Sequence, residues 1–212
     1  MATKVLYATK DTDIRNQTAT TPYGATELMW VGELNTQTND IRRLLIDFNL
    51  LEEIPKGSVI NSVILSMYYD GTEQASSNRT FQAYRVIRPW VESEVTWNIA
   101  KSGTNWGTAG CANQSTDYDA SVSLGAVQRN DGASAAWIHD SLTASEFQKI
   151  VDDQLTFEGI LIRRNPDIGN ESDDAFRHRT RENTTSPGSP AWAPYLTIDY
   201  TPPGAEFAVV II

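Results

Sequence analysis

Apolar residues recur with period two through nearly every patterned segment of the chain, the signature of strands, and helical periodicity is scarce. In residues 43–51, Leu44, Ile46, Phe48 and Leu50 share one face while Arg43, Asp47 and Asn49 fall on the other, which predicts a half-buried antiparallel strand. The turn Ile54-Pro55-Lys56-Gly57 follows. Residues 59–69 then alternate Val59, Val63, Leu65, Met67 and Tyr69 against Ile60, Ser62, Ile64, Ser66 and Tyr68, and apolar residues on both faces predict a central strand. Residues 27–31, 80–87, 158–164 and 195–201 are further strands, separated by clusters of Gly, Asn, Ser, Asp and Pro. Thr143-Ala144-Ser145-Glu146 has the form of a capping box, and Phe147, Ile150 and Val151 beyond it lie on one helical face. The expected fold is all-β, a two-sheet antiparallel β-sandwich of jelly-roll type with that one short helix packed on it.

Length and composition fix the organisation. With 212 residues, 40% hydrophobic and 21% charged, the chain can bury one core, and no repeat or interior linker divides it. The expected division is a single β-sandwich domain over residues 1–203 and an apolar C-terminal arm over 204–212. Two long segments, 97–120 and 165–192, carry little regular pattern, and loops of that length inside a compact domain are commonly functional. The charge of 17 Lys+Arg against 27 Asp+Glu, net −10, argues against a nucleic-acid partner. Cys111 is the only cysteine, which excludes an internal disulfide and a cysteine-built zinc site. The longest apolar run, residues 207–212, is far short of the ~20 residues that cross a bilayer as a helix, so no membrane partner is expected. The first twenty-five residues lack the apolar stretch of a secretory signal.

Candidate chemistry is sparse. His139 and His178 have no metalloprotease spacing and no serine sits in a nucleophile-elbow motif, so no catalytic residue is assigned and no enzyme is expected. Paired carboxylates for glycoside hydrolysis are neither excluded nor supported by the composition. Asp167, Asp173 and Asp174, in a segment rich in Asn and Gly, could supply oxygens to a structural calcium; the alternative, a solvated acidic loop, is favoured because EF-hand spacing is absent. No other cofactor is expected. Arg163 and Arg164 end a strand, and Arg177, Arg179 and Arg181 alternate, which places the last three on one face of an extended segment. They read as a cationic strip for carboxylates of an acidic sugar or a neighbouring protein, or as internal partners of Asp173, Asp174 and Glu182, and internal pairing is preferred. Trp90 and Trp97 are assigned to the core, whereas Trp106 and Trp192, in the long loops, are candidates to offer an exposed indole to a ligand.

Residues 42–110 resemble the DNRLRE domain family of disulfide-free β-sandwich modules, which includes carbohydrate-binding members. Arg43-Leu44-Leu45-Ile46-Asp47-Phe48-Asn49-Leu50 is similar to its Arg-x-Leu-x-Phe-Asp-Leu strand, and Ile54-Pro55-Lys56-Gly57-Ser58-Val59-Ile60 to its Ile-Pro-x-Gly-Ala-x-Ile turn. Trp90-Val91-Glu92-Ser93-Glu94-Val95-Thr96-Trp97-Asn98 matches its Trp-x-Glu-x-x-Val-Thr-Trp-Asn segment, and Trp106-Gly107-Thr108-Ala109-Gly110 continues it. The resemblance implies a jelly-roll-like sandwich that binds or builds and does not catalyse.

Two functional expectations follow, in order. The first is a structural protein on a virion surface, a capsid decoration, fibre or tail component of a bacteriophage with glycan affinity. It rests on a module-like sequence without an export signal and on a tail, Phe207, Val209, Val210, Ile211 and Ile212, that needs cover from its own sheet, a second copy or another virion protein. The second is an extracellular carbohydrate-binding module of a secreted bacterial polysaccharide-degrading system.

Overall fold

The alternation is realised as fourteen strands and two helices among the described residues, which in the computed structural model are 1–34, 40–75, 77–165, 174–183 and 192–204. The strands are β1 (Ala2–Tyr7), β2 (Lys10–Arg15), β3 (Leu28–Leu34), β4 (Asp40–Asp47), β5 (Val59–Ala75), β6 (Arg79–Val86), β7 (Ile99–Lys101), β8 (Thr104–Asn105), β9 (Tyr118–Asp119), β10 (Gly125–Arg129), β11 (Ala136–Leu142), β12 (Ile160–Arg163), β13 (Asp174–Arg179) and β14 (Tyr195–Thr201). Helix α1 is a single turn, Leu50–Glu53, and α2 spans Ala144–Val151. The expected two-sheet antiparallel sandwich forms, with one helix more than the pattern predicted. Leu50, read as the end of a strand, instead opens the extra turn, and its side chain is still buried in the main core.

The first sheet is built on β5, the longest strand. β14 and then β13 run along one edge of it, β11 pairs the other edge, β1 flanks β14 and β3 flanks β13. The second sheet is built on β4 and β6, joined by β12 between them, with β2 outside β4 and β10 and β9 on β6. β3 belongs to both: Leu28 to Val31 pair with β13, and Gly32 to Leu34 with β4. The corner falls at Gly32, whose φ of +118° is open to glycine and strained for any other residue.

Between the sheets lies the main core, including Met29, Val31, Leu44, Ile46, Leu65, Met67, Phe81, Ile160, Ile162, Phe176, Leu196 and Ile198. Helix α2 closes one end of it through Phe147, Ile150 and Val151, as the periodicity predicted. Thr143 stands at its N-cap position but makes no side-chain capping bond, and the Glu146 carboxylate pairs instead with Lys149 at 2.6 Å.

A second core covers the outer face of the second sheet. Ile14, Leu45, Tyr84, Val86 and Leu161 point outward there and are buried by Trp90, Val95, Ala100, Trp106, Cys111 and Tyr118. The connection supplying these residues is organised by Asp117, fully buried, which accepts the backbone N–H groups of Gly107, Thr108 and Asn113 and the Arg88 Nε–H.

A polar cluster bridges the two sheets inside the sandwich. Arg129 on β10 donates from Nε to His178 Nε2 on β13 at 2.6 Å and from Nη1 to Asp140 Oδ2 on β11 at 2.9 Å. Burial, reinforced by the Arg129 charge, pushes the His178 imidazole well below its ordinary 6.5; Tyr69 is the ring packed on it, and Asp140 faces it only through Arg129. The sign is then fixed: above pH 6.5 neither state is protonated at His178, and as pH falls below that value the unfolded chain takes a proton the fold refuses. Stability from this site drains at up to about 1.4 kcal/mol per pH unit until the folded pKa is reached. Asp11, Asp13 and Glu182, whose pKa values burial raises, act in the opposite sense, so the comparison is made with His178→Gln. Denaturant melts at pH 7 and pH 5 should show the parent losing more stability than the variant; equal losses would refute the assignment.

Candidate functional site

With the outer face of the second sheet covered, the corresponding face of the first is the broad strand surface left open among the described residues. Strand alternation aims every second side chain at it. On β5, Tyr69 turns into the core, so Tyr68, on the opposite face by alternation, turns out. Antiparallel register then sets outward residues of four strands side by side: Tyr7 is opposite Tyr195, Tyr195 opposite Ser66, Ser66 opposite His139, and Tyr68 opposite Trp137. Trp192, just before β14, folds onto the same face.

The result is a continuous aromatic row. Ring centroids are 5.7 Å apart for Tyr7 and Tyr195, 5.0 Å for Tyr195 and Trp137, 5.6 Å for Trp137 and Tyr68, and 3.8 Å for Tyr68 and Trp192. Tyr7 is 48% exposed and the other four are half-buried, their rings supporting one another edge to face. Hydrogen-bonding groups border the row. Ser66 Oγ and His139 Nδ1 share a bond of 2.8 Å, and beyond Tyr68 on β5 the Asp70 carboxylate accepts Arg177 Nε–H at 2.8 Å while Thr72 Oγ1 accepts Arg177 Nη2–H at 2.7 Å. Arg177 also lies over Trp30, 5.5 Å from the ring centroid. Such a surface offers flat apolar faces to the C–H faces of sugar rings, with His139 and Arg177 as the accessible polar groups for their hydroxyls and Ser66 and Asp70 buried behind them.

Of the residues singled out from the sequence, Trp192 and Arg177 come to this face. Trp106 does not. It is only 5% exposed in the second core, its indole N–H donates to the Thr96 carbonyl at 2.9 Å, and its rim borders a groove with Thr20, Asn98 and Asn105. The expectation of an exposed indole there is corrected: the loop is pinned by it, because its burial hides outward apolar residues of β2, β4, β6 and β12 from water. Trp90 is in the same core as expected, with Trp97 packed against it.

The arginines are largely engaged internally, as preferred. Arg163, 8% exposed, donates to Tyr118 Oη and the Arg164 carbonyl. Arg164 and Arg79 pair with Asp174. Arg181 pairs with Glu92 and Glu182, and Arg179 is half-buried on β13. Asp174, expected as a calcium ligand, is fully buried, accepts the Glu33 N–H at 2.6 Å and spends its second oxygen on those two guanidiniums. Asp167 and Asp173, and the arm residues Phe207, Val209, Val210, Ile211 and Ile212, lie outside the described residues.

Sequence reasoning missed Tyr7, Tyr68, Trp137 and Tyr195, although each stands at an outward position of its strand. No single segment contains the row; register between distant strands assembles it.

Residues 2–143 match carbohydrate-binding module family 96, two thirds of the chain. The chain belongs to that family. The match covers Tyr7, Tyr68 and Trp137 and stops at the N-cap of α2, whereas Trp192 and Tyr195 come from the remainder. No curated relative matches the chain. The DNRLRE resemblance read from the motifs is thus matched at the level of a carbohydrate-binding module.

Proposed function

We propose that this family 96 module binds a polysaccharide on the outer face of its first sheet, with Tyr7, Tyr68, Trp137, Trp192 and Tyr195 as the stacking surface. The supporting observation is the aromatic row itself: five partly exposed rings in mutual contact on an open sheet face, bordered by Ser66, His139, Asp70 and Arg177. Leaving that much aromatic surface in water is unfavourable unless a ligand covers it. A row spanning four strands, each about 4.8 Å from the next, accommodates more than one sugar ring and so favours a chain over a monosaccharide. The reading is of a non-catalytic, extracellular binder. The virion role expected from the sequence, which rested on a module-like sequence without an export signal and on the apolar tail, draws no support from the fold or the family match.

The test is a glycan array of neutral and acidic polysaccharides, followed by calorimetry on the best ligand. Trp137→Ala, at the centre of the row, is expected to weaken binding about 30-fold, the roughly 2 kcal/mol typical of a central aromatic anchor. Trp106→Phe, in the second core, should leave affinity unchanged. A flat array, or affinity retained in both Trp137→Ala and Tyr68→Ala, would reject the assignment.

A further inference from the structure

On the other flank of the molecule three carboxylates from three separate segments converge. Asp11 is on β2, Glu92 on the connection that covers the second sheet, and Glu182 just beyond β13; one carboxylate oxygen from each lies within 4.8 Å of the others. Acidic residues cluster on many surfaces without consequence, but this trio is not a solvated patch. Asp11 is fully buried. Its Oδ2 accepts the Arg181 backbone N–H at 3.0 Å, and its Oδ1 is buried without any donor, as is Glu182 Oε2. The Asp11 and Glu182 carboxyl groups are in direct contact. Glu92 Oε1 accepts the Asp11 N–H at 2.7 Å, which holds the third carboxylate in place.

Charge sharpens the picture. Among the described residues the cation paired with the trio is Arg181, to Glu92 and to Glu182. With all three carboxylates ionised, one guanidinium leaves two negative charges, and two of the oxygens, Asp11 Oδ1 and Glu182 Oε2, lack donors. A buried carboxylate without a partner is strongly disfavoured, and a divalent cation supplies both the charge and the ligand field these oxygens lack.

We propose that Asp11, Glu92 and Glu182 form a calcium site. All donors are hard oxygens, with no imidazole or thiolate in the trio, which suits calcium or magnesium and not zinc. Separations within 4.8 Å fit inside a calcium shell, whose opposed oxygens are about 4.6–5.2 Å apart, and calcium accepts irregular coordination where magnesium demands near-ideal octahedral geometry. Carboxylates can bind through one oxygen or two, and water completes the six to eight ligands. The bound ion would staple β2, the covering connection and the end of β13 together. The inference is independent of the carbohydrate reading, since the site lies on residues that do not enter the aromatic row.

The experiment uses the full chain, stripped with chelator and dialysed free of it, at pH 7.5. Calcium chloride alone should bind at one saturable site by calorimetry and raise the melting temperature by about 5 °C at a hundredfold excess over Kd. Magnesium chloride should bind more weakly. Glu182→Gln, at a partly exposed position that leaves Asp11 and its backbone contacts intact, should lower calcium affinity at least about tenfold, the scale seen even for outer-shell changes at metal sites. Asp131→Asn, an exposed acid elsewhere, should bind as the parent does. A calcium titration without heat or thermal shift in the parent would overturn the proposal, as would unchanged affinity in Glu182→Gln.

Discussion

Asp140→Ala is expected to destabilise the fold by about 3–5 kcal/mol, the loss measured when one member of a buried ion pair is removed and the other stays behind. Arg129 is 1% exposed, and its guanidinium has Asp140 as the carboxylate partner within the sandwich. The substitution strands that cation. It also deprives the Gln128 N–H, which donates to Asp140 Oδ1 at 2.9 Å, of its acceptor. Because Arg129 belongs to the second sheet and Asp140 and His178 to the first, the lost bonds are ones that hold the sheets in register with each other. Adding Arg129→Met removes the stranded charge and should recover part of the loss, so the double variant is more stable than Asp140→Ala alone. Equilibrium denaturation of the two variants and the parent decides the matter. A cost below about 1 kcal/mol for Asp140→Ala would mean that water reaches Arg129 and the cluster does not clip the sheets.

Gly32→Ala should be nearly as damaging, at about 4 kcal/mol, although it adds one methyl group. Two costs combine. The backbone is held at φ +118°, and a Cβ there would run into the Asp174 carbonyl oxygen and come within 2.8 Å of Ala175 Cα. Both obstacles are main chain of β13, so no rotamer change relieves them. Gly132→Ala is the matched control: its φ is +70°, but nothing lies within 4 Å of the added carbon. That change should cost only the about 1–2 kcal/mol of left-handed backbone. Similar melting of the two variants would show that the corner at β3 can relax, contrary to the packing described.

Much of the fold is legible in the alternation, and its errors have two physical sources, a covering connection and a register shift. The strand at β14 falls where the pattern put it, and Tyr69 and Tyr68 fall on opposite faces of β5 as the alternation groups them. Residues 43–51 were read as half-buried, yet Arg43 and Leu45 are buried too, because the connection carrying Trp90 and Trp106 covers their face. The signal was present in Leu44-Leu45-Ile46 and again in Ile160-Leu161-Ile162, consecutive apolar residues of strands buried on both faces. Val59 is 57% exposed and Ile60 buried, the reverse of the alternation, next to the register shift between Asp199 and Tyr200 on β14. The candidate site was much less legible. Its rings are scattered over Tyr7, Tyr68, Trp137, Trp192 and Tyr195, and only pairing between strands far apart in sequence brings them together. The acidic trio was hidden for the same reason: Asp11, Glu92 and Glu182 each lie about two fifths of the chain from the next, whereas the sequence drew attention to acids that are adjacent.

Every late strand enters between early ones: β12 between β4 and β6, β13 between β3 and β5, and β14 between β1 and β5. Ala2 thus finds its partner only at Tyr200. A growing polypeptide on the ribosome holds strand edges with three gaps between them, one in the second sheet and two in the first, which fill only as residues 160–201 emerge. The pairings that complete both sheets of this protein are thus distant in sequence, the kind whose loop-closure cost slows folding. Its unfinished chains are the form most in need of a chaperone.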